Sequence, residues 1–294
     1  MTYLYSAVRR EIAGKLPFCS RCGTQLVSDA NFCHSCGAPA VPSAVRRATH
    51  SAFSVAGVPR VVVKNTTLGS IEISQSLQKE KEKEQVVVDF DVKDHEYIEW
   101  KASQNGDLIV ANCRVKSGEF WPAVASLRGP RANVAVRVPV NSNLDLAARY
   151  GGVSLSGVSG DVNAETITGN ISFRDSEGSA SAETKTGLVS FVNHKGRISA
   201  FNTAGSITYT GTILGDSTLK TRAGNVDLSL VGNHDLVIDA SSKVGRVNID
   251  PSFNVRNLQS EQYMVGHTVH CTIGEGKHRL ALETYTGLIS IRGS

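Results

Sequence analysis

The stretches Gly169-Asn-Ile-Ser-Phe173, Gly187-Leu-Val-Ser-Phe191 and Gly205-Ser-Ile-Thr-Tyr209 repeat one short alternating pattern behind a glycine. Further glycines lie nine residues before the first of them, at position 160, and midway between them, at 178 and 196, so that a glycine occurs about every nine residues. Short alternating segments at a fixed interval are typical of repeat proteins in which one coil of β-strands stacks on the next. The second half of the chain therefore predicts an all-β stack.

The nine-residue units are of two alternating kinds, which differ in the size of the second and fourth residues after the glycine. The small set is Val162, Ala164, Ala180, Ala182, Ile198 and Ala200, and the large set is Ile171, Phe173, Val189, Phe191, Ile207 and Tyr209. Two units would make one coil of about 18 residues. A small column facing a large column would fill the core at native density. We therefore predict a β-solenoid with two short strands per coil.

The remaining repeat positions carry Ser, Thr, Asn, Asp and Lys and are predicted to face outward, including the motifs Thr166-x-Thr168 and Thr184-x-Thr186. Threonine ladders suit strands and can hydrogen-bond between rungs. The pattern loosens after Gly232 and resumes at Gly245 and Gly287. The last strand pattern, residues 288–292, leaves little sequence for a cap. Because an exposed end strand is a template for pairing, we expect end-to-end self-association.

Four of the six cysteines form two Cys-x-x-Cys-Gly motifs near the N-terminus: Cys19, Cys22, Cys33 and Cys36. This spacing lets two thiolates in a tight turn point at one ion, and the following glycine allows the chain to turn back. The sequence therefore predicts one structural Zn²⁺ in a closed shell of four cysteines, which leaves no open position for catalysis. His34 could replace one thiolate, but the repeat of the two halves favours the cysteines. A redox role is disfavoured, because the motif is doubled and lacks a βαβ context.

These motifs, with Phe18 and Phe32 before the first cysteine of each half, resemble the short zinc-ribbon domain at the N-terminus of many bacterial and archaeal proteins. The resemblance covers about residues 17–38 and implies a small module that binds partners, sometimes nucleic acid. The unit is too small to bury a core, so metal binding would supply most of its folding free energy.

Charge and hydropathy limit the classes of function. Of the 31 Lys and Arg and the 27 Asp and Glu residues, the first fifty residues hold six basic and two acidic ones, so the remainder is neutral. This balance does not demand a nucleic-acid partner. No apolar run approaches the ~18–20 residues of a membrane span, and Arg9, Arg10 and Glu11 lie where a signal peptide needs an apolar core. We expect a cytoplasmic protein without membrane insertion.

The sequence divides into four segments: an N-terminal extension 1–16 that could be helical, the ribbon 17–38, a flexible linker 39–57 and a repeat domain 58–294. The linker is rich in Ala, Pro and Ser and contains Arg46 and Arg47, which are predicted to be solvated or to make a weak contact with a phosphate or an acidic partner. Strand patterns begin at Arg60, and residues 58–150 could be early coils or a separate cap. The charged run 79–84 predicts an exposed loop or a short helical excursion, and Phe120 and Trp121 would plug the solenoid end or stack on a sugar.

Three features of the repeat domain resemble the bacterial putative-adhesin family of β-strand-repeat domains. They are the opening Val-Lys-Asn65-Thr-Thr-Leu-Gly69-Ser-Ile, the segment Val136-Arg-Val-Pro139 leading into Tyr150-Gly-Gly-Val-Ser-Leu, and the serial glycine units. The resemblance covers about residues 58–294. It implies a β-solenoid of largely unknown function and provides no catalytic residues.

Candidate active-site residues in the repeats do not form a convincing set. Asp161, Asp175, Asp216 and Asp227 lie at different offsets within their repeats and are predicted to be turn residues rather than a carboxylate site. His267, His270 and Cys271 could bind a second metal, but strand alternation places His270 on the opposite face from each of the other two. Cys113 and Cys271 are predicted to be buried small hydrophobes.

The sequence as a whole favours a non-enzymatic scaffold or binding protein, in which a zinc ribbon is tethered to a solenoid that mediates protein–protein or self-association. One alternative is a regulatory protein whose ribbon contacts nucleic acid or the transcription machinery. Another is a carbohydrate-binding or carbohydrate-active β-helix. Outward faces, coil ends and the ribbon are the expected functional surfaces, because the inward residues are committed to packing.

Overall fold

A computed structural model describes Thr24, Ser35 and residues 46–76, 84–116 and 130–293. The chain forms two compact units, Met1–Arg46 and Arg47–Ser294. The sequence predictions for the N-terminal extension, the zinc ribbon, Phe120, Trp121 and most of the charged run 79–84 lie outside the described residues. Within the described ranges, no helix is long and apolar enough to cross a membrane.

The second unit is all β, as predicted, and a single 3₁₀ turn, His95–Tyr97, is the one helical segment of the described residues. All its strands are joined by hydrogen bonds into one continuous sheet. The strands are β1 (Arg46–Ser54), β2 (Arg60–Leu68), β3 (Ile71–Gln75), β4 (Gln85–Lys93), β5 (Ile98–Asn105), β6 (Leu108–Val115), β7 (Arg131–Val138), β8 (Asn143–Tyr150), β9 (Val153–Ser156), β10 (Ser159–Thr168), β11 (Ile171–Arg174), β12 (Glu177–Thr186), β13 (Val189–Ala204), β14 (Ile207–Ile213), β15 (Ser217–Ala223), β16 (Val226–Leu230), β17 (Leu236–Val244), β18 (Val247–Ile249), β19 (Val255–Gln262), β20 (His267–Ile273), β21 (His278–Thr286) and β22 (Ile289–Gly293).

The central strands stack in parallel, one repeat on the next, which gives a solenoid-like fold. β10 pairs with β12, and β12 with the second part of β13, so that Ala164, Ala182 and Ala200 lie in one row. β11 pairs with the first part of β13, which pairs with β14, so that Phe173, Phe191 and Tyr209 form another row. Both rows are buried in one core, as predicted from the glycine units.

Ring stacking reinforces the large row. The ring centroids of Phe173 and Phe191 are 4.8 Å apart with planes 16° from parallel, and those of Phe191 and Tyr209 are 6.1 Å apart. Such pairs contribute about 0.5–1.5 kcal/mol beyond the area they bury. The Tyr209 hydroxyl keeps a partner in the core, because it donates to the His194 carbonyl oxygen at 3.0 Å.

The repeating glycines mark a corner at which successive backbones come too close for a side chain. At Gly187, which has φ +149°, an added Cβ would lie 2.0 Å from the carbonyl oxygen of Gly169. The same contact recurs at corners along the stack, from Gly151 through Gly169, Gly187, Gly205, Gly224 and Gly287 to Gly245. The glycine period therefore reflects a backbone ladder in addition to turn geometry.

The prediction that Thr166 and Thr184 face outward was wrong. Both are buried, and each hydroxyl donates to a corner carbonyl of the neighbouring coil: Thr166 to Gly151 at 3.0 Å and Thr184 to Gly169 at 3.2 Å. The equivalent donors further along the stack are Asn202, Thr221, Thr284 and Ser242. A buried carbonyl needs a partner, so a polar residue three positions before the glycine belongs inside the corner.

We expect Thr184→Val to lower the free energy of unfolding by about 1–3 kcal/mol, because it leaves the Gly169 carbonyl without this donor while keeping the side-chain shape. Thermal or urea denaturation would measure the loss. Thr186→Val is the matched control, since Thr186 is exposed and its loss should cost less than about 0.5 kcal/mol. Equal effects of the two substitutions would contradict the role given to the buried hydroxyl.

The coils at the C-terminal end are not stacked in sequence order. β21 lies between β15 and β17, and β22 lies between β16 and β18. The prediction that residues 288–292 form an exposed end strand was therefore wrong, because β22 has a partner on each edge. After β16 the chain continues through β17 and β18 and forms the antiparallel hairpin β19–β20 beside β17. It then returns as β21 and β22, which lie between the coil β15–β16 and the coil β17–β18.

The N-terminal end follows the same plan. β2 lies between β6 and β8, and β3 lies between β7 and β9, all in parallel. Antiparallel strands complete this end, β5 on β6 and β4 on β7. Residues 58–150 thus contain both stacked coils and antiparallel end strands, the two arrangements that the sequence left open.

The structure also places a strand, β1, inside the segment 39–57 that the composition suggests as a linker. β1 pairs with β4. Side chains of β5 hold it as well: Trp100 Nε1 donates to Thr49 Oγ1 at 3.1 Å, and Gln104 Nε2 donates to the Ser54 carbonyl oxygen at 2.7 Å. A sheet edge that supplies backbone partners overrides the weak strand propensity of this segment.

Candidate functional site

The predicted zinc ligands Cys19, Cys22, Cys33 and Cys36 lie outside the described residues, so the four-cysteine shell stays a prediction. Within the described ranges, no group of three or more His, Cys, Asp and Glu side chains is arranged to hold a metal ion. The candidate functional features of the second unit are its charged clusters, its strand edges and its exposed apolar residues.

His267, His270 and Cys271 point to different places, as strand alternation predicts. His267 accepts a hydrogen bond from the Val247 N–H at its Nδ1 (3.1 Å) and contacts Ser260 Oγ through Nε2 (2.9 Å). His270 Nδ1 lies 2.6 Å from Asp239 Oδ1, and Cys271 is fully buried. These residues do not converge on one point where an ion could bind.

The two cysteines of the second unit are buried, as predicted. Burial raises the pKa of Cys113 to about 12. Burial raises the pKa of Cys271 as well, and the nearby charge of Asp239 adds to the effect. A thiol that does not ionise near neutral pH is a poor nucleophile and a poor metal ligand, so both cysteines act as core side chains.

Asp239 is the centre of a charged cluster on the outer face of β17. Its Oδ1 contacts His270 Nδ1 at 2.6 Å, and its Oδ2 accepts from Arg279 Nε at 2.7 Å. Partial burial by itself would raise the pKa of Asp239, but the hydrogen bonds from His270 and Arg279 outweigh it and lower that pKa. Both carboxylate oxygens are engaged, which suits an ion-pair network better than a general base.

A similar cluster lies at the other end of the stack. Asp89 contacts His50 Nδ1 at 2.6 Å and Arg137 at 2.9 Å. It borders an open groove of about 290 Å³ whose lining includes Glu72, Phe90 and Asn133. In each cluster a carboxylate joins a histidine to an arginine from another strand, so both clusters fasten end strands to the stack.

The four aspartates singled out in the sequence occupy unrelated positions, as predicted. Asp161 lies in register with Asn143 and Ser179, whereas Asp227 lies in register with Thr208 and Ser290. Asp175 holds the turn side chain Asn193 at 2.7 Å, and Asp216 accepts from the Arg279 N–H at 2.8 Å. No two of these carboxylates share a ladder, so they do not form a paired acid–base site.

The β19–β20 hairpin is the most exposed part of the described second unit, and the repeat pattern of the sequence did not predict it. Residues 256–262 are all exposed, although β19 is a full strand. The turn that follows carries Tyr263, Met264 and Val265, with exposed fractions of 59%, 102% and 64%. The signal in the sequence was an apolar triplet before Gly266, between two alternating segments. An exposed strand edge with an apolar tip is a surface suited to contacting another molecule.

The chain was compared with curated proteins and with solved structures. No curated protein matches the chain. One similar solved structure is a "putative cell adhesion protein" from Clostridium sporogenes, at 14% identity and TM-score 0.38, covering 84% of this chain and 100% of the other. A "putative adhesin" from Bacteroides fragilis is similar at 9% identity and TM-score 0.33, covering 84% and 97%. A "Putative lipid binding protein" from Parabacteroides distasonis is similar at 10% identity and TM-score 0.22, covering 84% and 94%.

Two family models match the sequence. A zinc-ribbon domain model matches residues 18–40, and a model described as Toastrack DUF4097 matches residues 60–292. They confirm the two resemblances, of the N-terminal motifs and of the repeats, on which the sequence interpretation depends. Since the second match extends over most of the chain, this protein belongs to the Toastrack DUF4097 family.

Proposed function

We propose that this protein is a non-enzymatic scaffold that associates with proteins, and first of all with a second copy of itself, through the β19–β20 hairpin. The observation that carries the proposal is the outer edge of β19. Among the described strands, β19 pairs with β20 alone, and residues 256–262 are exposed. A strand in this position offers backbone donors and acceptors to an incoming strand.

The charges of β19 favour a second copy as the occupant. Arg256 is opposite Thr272 and Glu261 is opposite Thr268, so both charged residues lie on the same, outward face of the hairpin. Two β19 strands paired antiparallel about a two-fold axis would place each Arg256 beside Glu261 of the second copy. Glu261 already accepts from the Tyr263 hydroxyl at 2.6 Å, and its other oxygen can accept from the arginine.

Such pairing would give a closed dimer rather than a filament, because the two-fold arrangement uses each β19 edge once. A bulge between Arg256 and Gln259, where Asn257 has a left-handed φ of 53°, interrupts the regular ladder and limits further growth. The apolar tip residues Tyr263, Met264 and Val265 would be covered beside the paired strands.

Charge reversal tests the proposed dimer. Arg256→Glu and Glu261→Arg should each weaken self-association by about tenfold or more, because each substitution puts like charges opposite one another twice per dimer. The double variant Arg256→Glu/Glu261→Arg should restore the wild-type affinity. Sedimentation velocity over a wide concentration range would measure the dimer dissociation constants of the wild type and the three variants. A monomer at every concentration, or a double variant no better than the single ones, would reject the dimer.

We further propose that each coil has about 18 residues, that the four ribbon cysteines bind one structural Zn²⁺, and that the protein is cytoplasmic. The ribbon would serve as a second binding module. A pull-down with the full chain and with a Cys19→Ser/Cys22→Ser variant would separate partners of the ribbon from partners of the solenoid. Salt-dependent binding of DNA or RNA that is lost in this variant would instead favour the regulatory alternative.

A further inference from the structure

The corner that contains the glycine ladder forms a continuous surface along seven coils, from β8–β9 to β17–β18. We call it the corner ridge and define it by the two residues before each corner glycine and the one after it. In stack order, the positions two residues before each glycine are Arg149, Ile167, Lys185, Thr203, Arg222, Tyr285 and Lys243. With coils ~4.8 Å apart, the ridge is about 29 Å long.

The ridge has a single sign of charge. Arg149, Lys185, Arg222, Lys243 and Arg246 are all exposed, and none of these described ridge positions holds a carboxylate. Among the described residues, none of the five cations is in an ion pair; Arg149 and Lys243 instead lie over the rings of Tyr150 and Tyr285 at 5.5 and 5.7 Å. Cations held in a row without counter-charges attract an anionic surface.

Exposed apolar side chains alternate with these cations. Leu188, Leu288 and Ile167 have exposed fractions of 51%, 45% and 39%, and those of Tyr285 and Val244 are 55% and 42%. A dissolved polyanion would gain little from aliphatic side chains. A lipid surface would accept them among its headgroups while its anionic lipids neutralise the arginines and lysines, and tyrosine is enriched at such interfaces.

On the same face of the sheet, the column of residues four positions before each corner glycine limits the contact to the ridge. That column contains Glu165, Glu183 and Glu283, and Glu283 is paired with Lys220 at 3.1 Å. These glutamates would be repelled by an anionic surface, so the flat face behind the ridge should stay in water. The register aligns the cations in one row, the described ridge positions hold no carboxylate, and aliphatic side chains are exposed between the cations. From these observations we propose that the corner ridge binds peripherally to an anionic lipid membrane.

Vesicle co-sedimentation tests this proposal without reference to the dimer. The full chain should bind phosphatidylcholine vesicles that contain phosphatidylserine and should not bind vesicles of phosphatidylcholine alone. Each cation near the surface contributes about fivefold in affinity, so Lys185→Gln/Arg222→Gln should weaken binding by roughly 25-fold. Leu188→Gln/Leu288→Gln should weaken it as well, and in this variant the remaining binding should be lost at high salt.

Arg174→Gln/Lys195→Gln is the matched control, because it removes the same charge from exposed positions at the other turn of the coil. It should bind as the wild type does, and all variants should keep the wild-type unfolding temperature. No binding to phosphatidylserine vesicles, or equal losses in the ridge and control variants, would overturn the proposal. Retention on heparin without binding to vesicles would overturn it too, since the ridge would then recognise a soluble polyanion. Dimer formation is measured separately, so either proposal can fail while the other holds.

Discussion

Gly187→Ala is expected to lower the free energy of unfolding of the repeat domain by about 4 kcal/mol, among the largest effects of any single substitution in this chain. The added Cβ would lie 2.0 Å from the carbonyl oxygen of Gly169, which is backbone and cannot move aside without moving the neighbouring coil. The φ of Gly187, +149°, adds strain, since side chains rarely adopt this conformation.

The damage at Gly187 would extend to the next coil. The carbonyl of Gly187 faces Gly205, where a Cβ would lie 1.9 Å away, and it also accepts from Asn202 Nδ2 at 2.7 Å. A backbone shift at Gly187 therefore disturbs one ladder contact and one buried hydrogen bond at the same time. Because neighbouring coils stabilise one another in a stack, the loss should appear in the unfolding of the whole array.

Gly215→Ala is the control for this prediction. A Cβ at Gly215 would lie 3.3 Å from the Arg197 Cβ and no closer than 4.0 Å to its backbone, and Gly215 has no φ in the left-handed region. We expect its replacement to change stability by less than about 1 kcal/mol. Urea denaturation followed by circular dichroism would compare the two variants. Similar midpoints for Gly187→Ala and the wild type would show that the corner can relax and that the ladder does not require glycine.

The glycine pattern predicted much of the fold because it encodes local geometry. Packing of the columns that contain Phe173 and Ala182 follows from alternation and size, and both columns are buried as expected. Thr184 was misplaced for a chemical reason: threonine is usually assigned to the surface, whereas this corner requires a buried donor. Continuing the alternation from Gly178 by one more step would have placed Thr184 inside.

The order of the coils could not be read from the sequence. Every coil presents a similar row of apolar residues, so β21–β22 could pack on several neighbours, and hydrophobic periodicity alone does not choose among them. The sequence order suggested an exposed last strand, whereas the structure exposes β19. The charges of the corner ridge could not be predicted for a related reason. Lys185, Arg222 and Lys243 can be recognised as parts of one surface only when the register between coils is known.

The ribbon was predicted from spacing alone, since Cys-x-x-Cys-Gly twice in succession specifies a metal chemistry without any knowledge of the surrounding fold. This is why zinc ligands could be predicted by residue although these residues lie outside the described ones. A binding surface has no comparable signature. Tyr263 and Met264 gain meaning only from the exposed hairpin on which they lie.

Removal of zinc is expected to unfold the ribbon and to leave the repeat domain folded. We expect the full chain to contain one Zn²⁺, and a strong chelator, or the substitution Cys33→Ser, to release it. Structural Zn²⁺ contributes about 10–16 kcal/mol of apparent binding free energy near neutral pH in ribbon-sized units, which is more than so short a segment can obtain from packing. The ribbon should therefore unfold without metal, while the repeat domain, a separate compact unit, keeps its unfolding temperature.

Metal content and protease sensitivity distinguish this result from general damage. Cys33→Ser should lose the Zn²⁺ and become sensitive to proteolysis within residues 17–38. Cys271→Ala is the matched control: it also removes a thiol, but from the core of the repeat domain, and it should keep the full metal content while lowering the stability of that domain. His34→Ala tests the remaining alternative ligand and should leave the Zn²⁺ in place. Retention of Zn²⁺ by Cys33→Ser, or its loss in His34→Ala, would exclude the four-cysteine shell, because a closed tetrahedral site needs all of its thiolates and no others.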